Sequence, residues 1–410
     1  MNLSLHKCSN TREVLDELRV EFTNRENLLP ANYDATIIIK PNLNSNLDGL
    51  TGNTTDLRVL VSIIQILKEY GYKYITIMEG PNGGFHRDGI NVFARNKIDK
   101  VASYYGCKFK DVNYEMNSFP IEFHKSGMAQ IASAFKECDF FINVPKLKTH
   151  YETLISVALK SLIGVLVGQP NKVKAHASLH ENILRLNDAI KPDLYIVDGL
   201  IAMEGTGPSA GMPLRKDIIL VGTDPYEIDI CVCKIMGFQP EESALIVKAF
   251  ETKRIADTYT KIALPAELTI QQKPFERPHP NLLAKLIVMP PFSGLIRVLR
   301  NSAPVNHLLE VVAVRRLMLI LGVSQEVIIR QERNGQIKWN EEKCDHCQKC
   351  AFYCPQMLEL PEAFEKENSA CLDCMYCYAV CPNDAYDYWG DLGYYSEQKR
   401  RYGKIIKRIS

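Results

Sequence analysis

The chain has 410 residues, 46% hydrophobic and 24% charged, which allows two or three domains and excludes disorder or a fibrous state as its main form. Lys and Arg total 49 against 48 for Asp and Glu, a net charge of +1, so no global electrostatic pull toward nucleic acid or anionic membranes exists. Thirteen cysteines are present; most crowd between Cys344 and Cys381, unlike a disulfide scaffold spread over a small secreted chain.

The first eleven residues are polar and lack a charged-then-apolar leader pattern. No run of eighteen apolar residues occurs, so no transmembrane segment is expected and a cytoplasmic protein is. From residue 36 the pattern alternates. Thr36–Lys40 (TIIIK) reads as a strand, Asp56–Tyr70 as a helix, Tyr72–Glu79 as a strand, Val92–Tyr105 as a helix, and Lys108–Val112 as a short strand. Asp139–Val144 (DFFINV) is a strand, Leu154–Val167 a largely buried helix, and Leu179–Ile190 another helix. Asp193–Val197 and Asp217–Val221 are strands, followed by a helix over Pro225–Met236. Such alternation with near-continuous apolar strands predicts an α/β domain, a mostly parallel sheet with helices on both faces. It spans 1–260. A proline-punctuated helical connection follows over 261–338, and its Leu282–Leu321 stretch leaves peripheral membrane contact open. A small α+β domain of ferredoxin type occupies 339–388. The basic tail 389–410 is expected to be loose, as termini usually are.

The small domain carries the strongest signal. Cys344, Cys347, Cys350 and Cys354-Pro355 repeat as Cys371, Cys374, Cys377 and Cys381-Pro382, each reading C-x2-C-x2-C-x3-C-P. Three closely spaced thiolates wrap one face of a cubane, and the cysteine before proline serves the other cluster. Cys344, Cys347, Cys350 and Cys381 therefore form one expected [4Fe–4S] ligand set, and Cys371, Cys374, Cys377 and Cys354 the second. Paired zinc sites are the alternative, but a zinc ribbon needs two CxxC pairs rather than two such triples. The spacing resembles bacterial two-cluster ferredoxins, with Gln348 and Met375 where glycine often follows the second cysteine.

In a parallel sheet, ligands bind beyond the carboxyl ends of the strands. Four strands place polar residues there: Lys40 and Asn42, Glu79, Lys146 with Lys148 and His150, and Asp198. If Lys146–His150 stays extended, its three basic side chains share one side. Lys160, inside the apolar LISVALKSLIGVLVG, either reaches the same place or snorkels. Lys40, Asn42, Lys146, Lys148, His150 and Lys160 are thus candidates for holding an anion. Glu79, Asp198 and Glu204 are candidate proton donors, acceptors or metal ligands. The glycine-rich stretch 204–211 is either an anion cradle or a tight connection; it contains neither GxGxxG nor a P-loop. Asp224 before Pro225 reads as a helix cap, and Cys231 and Cys233 as buried small hydrophobes.

The segments IIIKPNL, FINVPKLKTH, IVDGLIAMEGTGPSAG and VGTDPYEID resemble domain-of-unknown-function family 362, whose members are often fused to a two-cluster ferredoxin domain. The resemblance implies cytoplasmic iron–sulfur proteins with no assigned reaction. The expected function is an iron–sulfur oxidoreductase. Two [4Fe–4S] clusters would serve an anionic substrate or a further organic cofactor at the strand-end cleft, with a redox partner protein. The alternative is a non-catalytic electron carrier.

Overall fold

The computed structural model of the chain describes residues 3–82, 85, 88–256, 258–259, 273–278, 328–364 and 370–410. Most of the connection expected over 261–338, with Leu282–Leu321, lies outside the described residues. In chain order the strands are β1 (Ser4–Lys7), β2 (Thr36–Pro41), β3 (Tyr74–Glu79), β4 (Lys108–Asp111), β5 (Ser118–Phe123), β6 (Gly127–Ala132), β7 (Phe140–Val144), β8 (Lys146–His150), β9 (Leu154–Ser156), β10 (Leu194–Glu204), β11 (Met212–Gly222), β12 (Asn334–Trp339) and β13 (Tyr386–Asp391).

The large sheet has the order β1-β11-β10-β7-β2-β3-β4, with β8 joining β10 and β9. Its centre is parallel: β10 with β7, β7 with β2, β2 with β3, and β3 with β4. The β1 edge is antiparallel. Strand period explains the burial on both faces. In β2, Ile37 and Ile39 enter the core beneath helices Thr11–Asn24 and Leu57–Glu69, while Ile38 enters the core beneath β5, β6 and helix Leu179–Ala189. From β2 the chain builds β3 and β4 to one side, then β7 and β10 to the other. The crevice at the ends of β2 and β7 is therefore a topological switch point, where open α/β sheets bind ligands.

Several elements differ from the sequence reading. The stretch 154–167 is apolar and buried, but it is not one helix. It forms β9, a short helix Ala158–Ser161 and a 3-10 turn Leu162–Val165. The Asp229 carboxylate accepts from Ala158 N (2.8 Å) and Leu159 N (3.3 Å), and so fixes where the short helix begins. The expected helix 92–105 breaks at Lys97, in the left-handed region (φ 60°). The strand expected to stop near Asp198 runs on to Glu204 and pairs with β11 as a long ribbon, with a bulge between Gly199 and Ile201. The β5–β6 hairpin had no clear strand pattern and was not anticipated.

The basic tail is not loose. Tyr395–Ile409 is a helix that buries Tyr395, Gln398, Tyr402 and Ile406. Their i, i+3, i+7 spacing puts them on one face, where Glu397 is also buried, and most of the charges lie on the other side. Tyr402 donates to Gly211 O (3.1 Å), Arg215 to Ile409 O (3.2 Å) and Lys349 to Ser410 O (2.7 Å). The helix thus clasps the cysteine domain and the large sheet together. The antiparallel β12–β13 pair carries the cysteine domain's backbone to Asn334, upstream of the expected start at 339. Among the described residues, no helix is long and apolar enough to cross a membrane.

Candidate functional site

Each cysteine triple leads into a short helix, Lys349–Phe352 and Tyr376–Val380. Gln348 and Met375 sit just before these helices with φ of 62° and 68°. That left-handed backbone is why glycine suits this place in the motif. Cys354, Cys371, Cys374 and Cys377 line one cavity of about 450 Å³, together with Met375 and Leu360. This is the set expected for the second cluster. Among the described residues no three His, Cys, Asp or Glu side chains are grouped so as to hold a metal ion. Burial, then crowding by Cys371 and Cys354, pushes the Cys377 thiol well above its usual range. Four thiolates would coexist there only with the positive charge of bound metal. Of the other set, Cys350 and Cys381 are buried in one core with Cys344 packed against it, Ala385 N donates to Cys381 Sγ (3.2 Å), and Cys347 is exposed.

The second set's segments press on the large sheet. Tyr376, between Cys374 and Cys377, is fully buried, and its hydroxyl accepts from Leu57 N (3.3 Å) at the start of helix Leu57–Glu69. A Cβ on Gly49 would lie 2.8 Å from that hydroxyl, so glycine permits the approach. Tyr353, beside Cys354, stacks on Arg58 at 4.3 Å. Arg58 in turn grips the Asp56 carboxylate through Nε and Nη2 (3.1 and 2.8 Å). Burial alone would raise the Asp56 pKa, but Arg58 outweighs it and holds the carboxyl low.

Behind this contact lie the strand-end residues. Asp198 accepts from Asp56 N (2.6 Å), Lys146 Nζ (2.8 Å) and Leu200 N (3.1 Å), and Lys146 also reaches Gly49 O (3.3 Å). Burial raises the Asp198 pKa and the Lys146 charge opposes the rise. Lys40 meets Glu79 at 2.6 Å with both side chains buried, and Gly80 N donates to the same carboxylate (2.7 Å). Lys148 donates to Asn42 Oδ1 (3.0 Å) and Asn53 O (2.9 Å). The segment 146–150 is extended as expected, and its alternation keeps the three basic residues on one side. All five residues are buried, however, so they do not line an open basic turn.

A second group gathers at the far end of β8. His150 is buried and accepts from Glu152 N through Nδ1 (3.0 Å). A neutral ring then carries its proton on Nε2. Burial, then the charges of Lys160, Lys148, His176 and His180, pushes the His150 pKa well down. Burial lowers Lys160 to about 8, and Glu152 alone opposes this. His176 Nδ1 lies 2.8 Å from Lys172 O, and His180 Nε2 lies 3.4 Å from Glu152 O.

The family described as domain of unknown function (DUF362) matches residues 37–234, and a 4Fe-4S dicluster domain matches residues 336–382. The chain joins a DUF362 domain to a 4Fe-4S dicluster domain. A thylakoid-associated protein of Synechocystis sp. is 27% identical over 287 residues, 65% of this chain and 81% of that protein. The lactate racemase apoprotein from Thermoanaerobacterium thermosaccharolyticum aligns with a TM-score of 0.32 at 10% identity over 57% of this chain, which spans 56% of that one.

Within the DUF362 domain the expected acids do not all converge. Glu79 and Asp198 lie at the strand-end edge, but Glu204 ends β10, six residues beyond Asp198 and next to Met203, which pairs with Lys148. It accepts from Glu276 N (2.8 Å) instead. The glycine-rich loop is a tight connection: Thr149 donates to Gly205 O (2.8 Å), and Asn44 and Asn53 donate to Ser209. Asp224 caps its helix through Tyr226 N and Glu227 N, and Cys231 and Cys233 are fully buried. Asp56, Arg58, Tyr353, Tyr376, His176 and His180 were missed. Asp56 before an apolar helix was legible as a cap, and the two tyrosines sat in plain view inside the cysteine motifs. Nothing local marked the histidines.

Proposed function

We propose that this protein is an iron–sulfur oxidoreductase in which electrons pass between two [4Fe–4S] clusters and an anionic substrate or organic cofactor at the strand-end edge of the DUF362 domain. The clusters, when bound, supply one-electron transfer. The observation that carries this reading is the seating of Tyr376: a residue flanked by two ligand-set cysteines touches Leu57 N and Gly49. Gly49 O in turn receives Lys146, which begins the basic side of β8. An electron carrier would have no need to bury its cysteine loops against a polar strand-end network. The role of this chain's residues is to hold that junction dry and fixed. Asp56 and Arg58 neutralise each other, as do Lys146 and Asp198, so their charges stay constant while the redox state changes. A redox partner protein would meet the exposed Cys347, Phe352 and Trp389. Free thiols on this scale fit a reducing cytoplasm.

The test is chemical. Protein purified without oxygen should carry about eight irons and release a stoichiometric small molecule on denaturation. That molecule should reoxidise the dithionite-reduced protein. A cluster-loaded chain that releases nothing, and whose reduced form is reoxidised only by other proteins, would replace this reading with the electron carrier.

A further inference from the structure

The two halves of the cysteine repeat carry different charge. Arg333, just before β12, reaches across the loop of the second ligand set. Its Nη1 donates to Met375 Sδ (3.3 Å), and its Nη2 to Asp373 O (3.4 Å) and to the Asp373 carboxylate. The guanidinium therefore bridges the residues on either side of Cys374, and its side chain is only 6% exposed. From the DUF362 domain Lys97 joins the same carboxylate (3.1 Å), and Lys100 stands 3.9 Å from it. Lys97 is the residue at which the helical stretch 92–105 breaks, with φ 60°. Such left-handed backbone costs a residue with a side chain about 1–2 kcal/mol. Among the described residues, three cations thus face one acid, and neighbouring Glu332 is already paired with Arg95. In the first half of the repeat the place of Asp373 is taken by His346, whose ring lies 3.7 Å from Glu362. Beside it Asp345 accepts from Cys347 N (3.2 Å). The lysines near that half are matched singly, Lys343 with Asp387 and Lys407 with Asp384.

An added electron is added negative charge, so cations beside a [4Fe–4S] centre stabilise its reduced form and raise its potential. Water screens exposed groups far more than Arg333 and Lys97, the latter 15% exposed. We propose that Arg333 and Lys97 form a cationic clamp on the second ligand set, Cys354, Cys371, Cys374 and Cys377, and make that cluster the one of the two on which an electron rests. One electron then leaves the centre held by Cys344, Cys347, Cys350 and Cys381, which is oxidised, and enters the second, which is reduced. Burial of the second set against the large sheet acts the other way, because a low dielectric disfavours added charge; the clamp offsets it. The favoured centre is the one whose loop seats Tyr376 on Leu57 N. The inference rests on the two-cluster reading above and adds a direction to it. Electrons enter at the side of the exposed Cys347 and collect beside the DUF362 sheet, which itself supplies Lys97.

A redox titration tests it without any substrate. The full-length protein, purified without oxygen, would be reduced stepwise and followed by the paramagnetic signals of its reduced clusters. Two potentials are expected, the higher favoured at least tenfold in electron affinity, about 59 mV for one electron. Arg333→Gln and Lys97→Gln should each lower the higher potential by threefold or more in affinity and leave the lower one in place. Asp373→Asn should raise it, because the acid is lost and the cations stay. Arg333→Lys keeps the charge and should restore most of the parent value. Ion pairs that merely staple the two domains would give no shifts of opposite sign. Lys97 lies outside the cysteine domain, so its variant should load clusters even if the Arg333 variant does not. Potentials unmoved in iron-replete Lys97→Gln and Asp373→Asn, or movement of the lower potential alone, overturn the clamp. Opposite shifts in a protein that releases no small molecule would instead overturn the oxidoreductase reading and leave the clamp standing.

Discussion

Two lysines fourteen positions apart, Lys146 and Lys160, show how differently one fold can place an ammonium. Lys146 is sealed at 0% exposure against Asp198, equally sealed, with Asp56 N completing the carboxylate's coordination. Lys160 is half-buried and its ammonium makes no hydrogen bond or ion pair among the described residues, while the charge of Glu152 acts on it from nearby. The first arrangement is finished by the chain itself and so is structural. The second has no such carboxylate partner among the described residues. Residue type was the same, but Lys146 opens β8 whereas Lys160 lies in the short helix Ala158–Ser161, and only the first meets an internal counter-charge among the described residues.

Breaking the pair tests this most sharply. Lys146→Met leaves Asp198 buried with its charge uncompensated, and Asp198→Leu does the same to Lys146; each should cost about 3–5 kcal/mol. The double variant should recover most of that loss in denaturant unfolding, because a buried ion pair is often replaceable by apolar side chains of like volume. Lys160→Met should behave oppositely and leave the unfolding free energy within about 1 kcal/mol of the parent. A Lys160 variant as damaged as the Lys146 one would erase the distinction. Had Lys146 been an open ligand-binding lysine, as the sequence suggested, its removal would weaken binding and spare stability.

A buried carboxylate with no cation beside it among the described residues extends the comparison to the acids. Among those residues Asp229 accepts from Ala158 N and Leu159 N, and burial pushes it up to about 7. The folded state therefore keeps a proton that the unfolded chain, with an ordinary aspartate near 4, has already released. That contribution to stability is complete below about pH 4 and is lost as pH rises through about 7. Asp229→Asn keeps one acceptor and cannot ionise. It should flatten the decline in thermal midpoint between pH 5 and pH 8, with a gain on the order of 1–3 kcal/mol at pH 8. An unchanged slope would place the titration elsewhere.

How much of this was legible follows from the range of each signal. The cysteine motifs are local, and their spacing alone grouped Cys354 with Cys371, Cys374 and Cys377, the four that line one cavity. TIIIK and FFINV are continuous apolar runs, so their strands and their parallel neighbours were readable. What a lysine meets across the sheet is not local: the partners of Lys40 and Lys146 lie 39 and 52 residues away. For the same reason His176 and His180 gave no hint of facing His150. The apolar stretch 154–167 misled because burial on every side looks alike in a helix and in a strand–turn–helix. The tail misled in a different way. Its charges were read and the stripe of Tyr395, Tyr402 and Ile406 was not.

The smallest effect concerns the two halves of the cysteine repeat. Gln348 and Met375 occupy equivalent left-handed positions, yet Gln348 is exposed whereas Met375 is buried, lines the cavity and receives Arg333 Nη1 on its sulfur (3.3 Å). For Gln348 the side chain contributes little, so only the backbone preference counts. Gln348→Gly removes the strain of a positive φ but frees the unfolded chain, two terms of about 1 kcal/mol that oppose each other. The expected result is a thermal midpoint within a few degrees of the parent, with iron content unchanged. Met375→Gly is a different exchange, since it also strips a buried wall from the cavity and should lower iron retention. Equal behaviour of the two variants would mean that the backbone turn, and not the buried methionine, governs that half of the repeat.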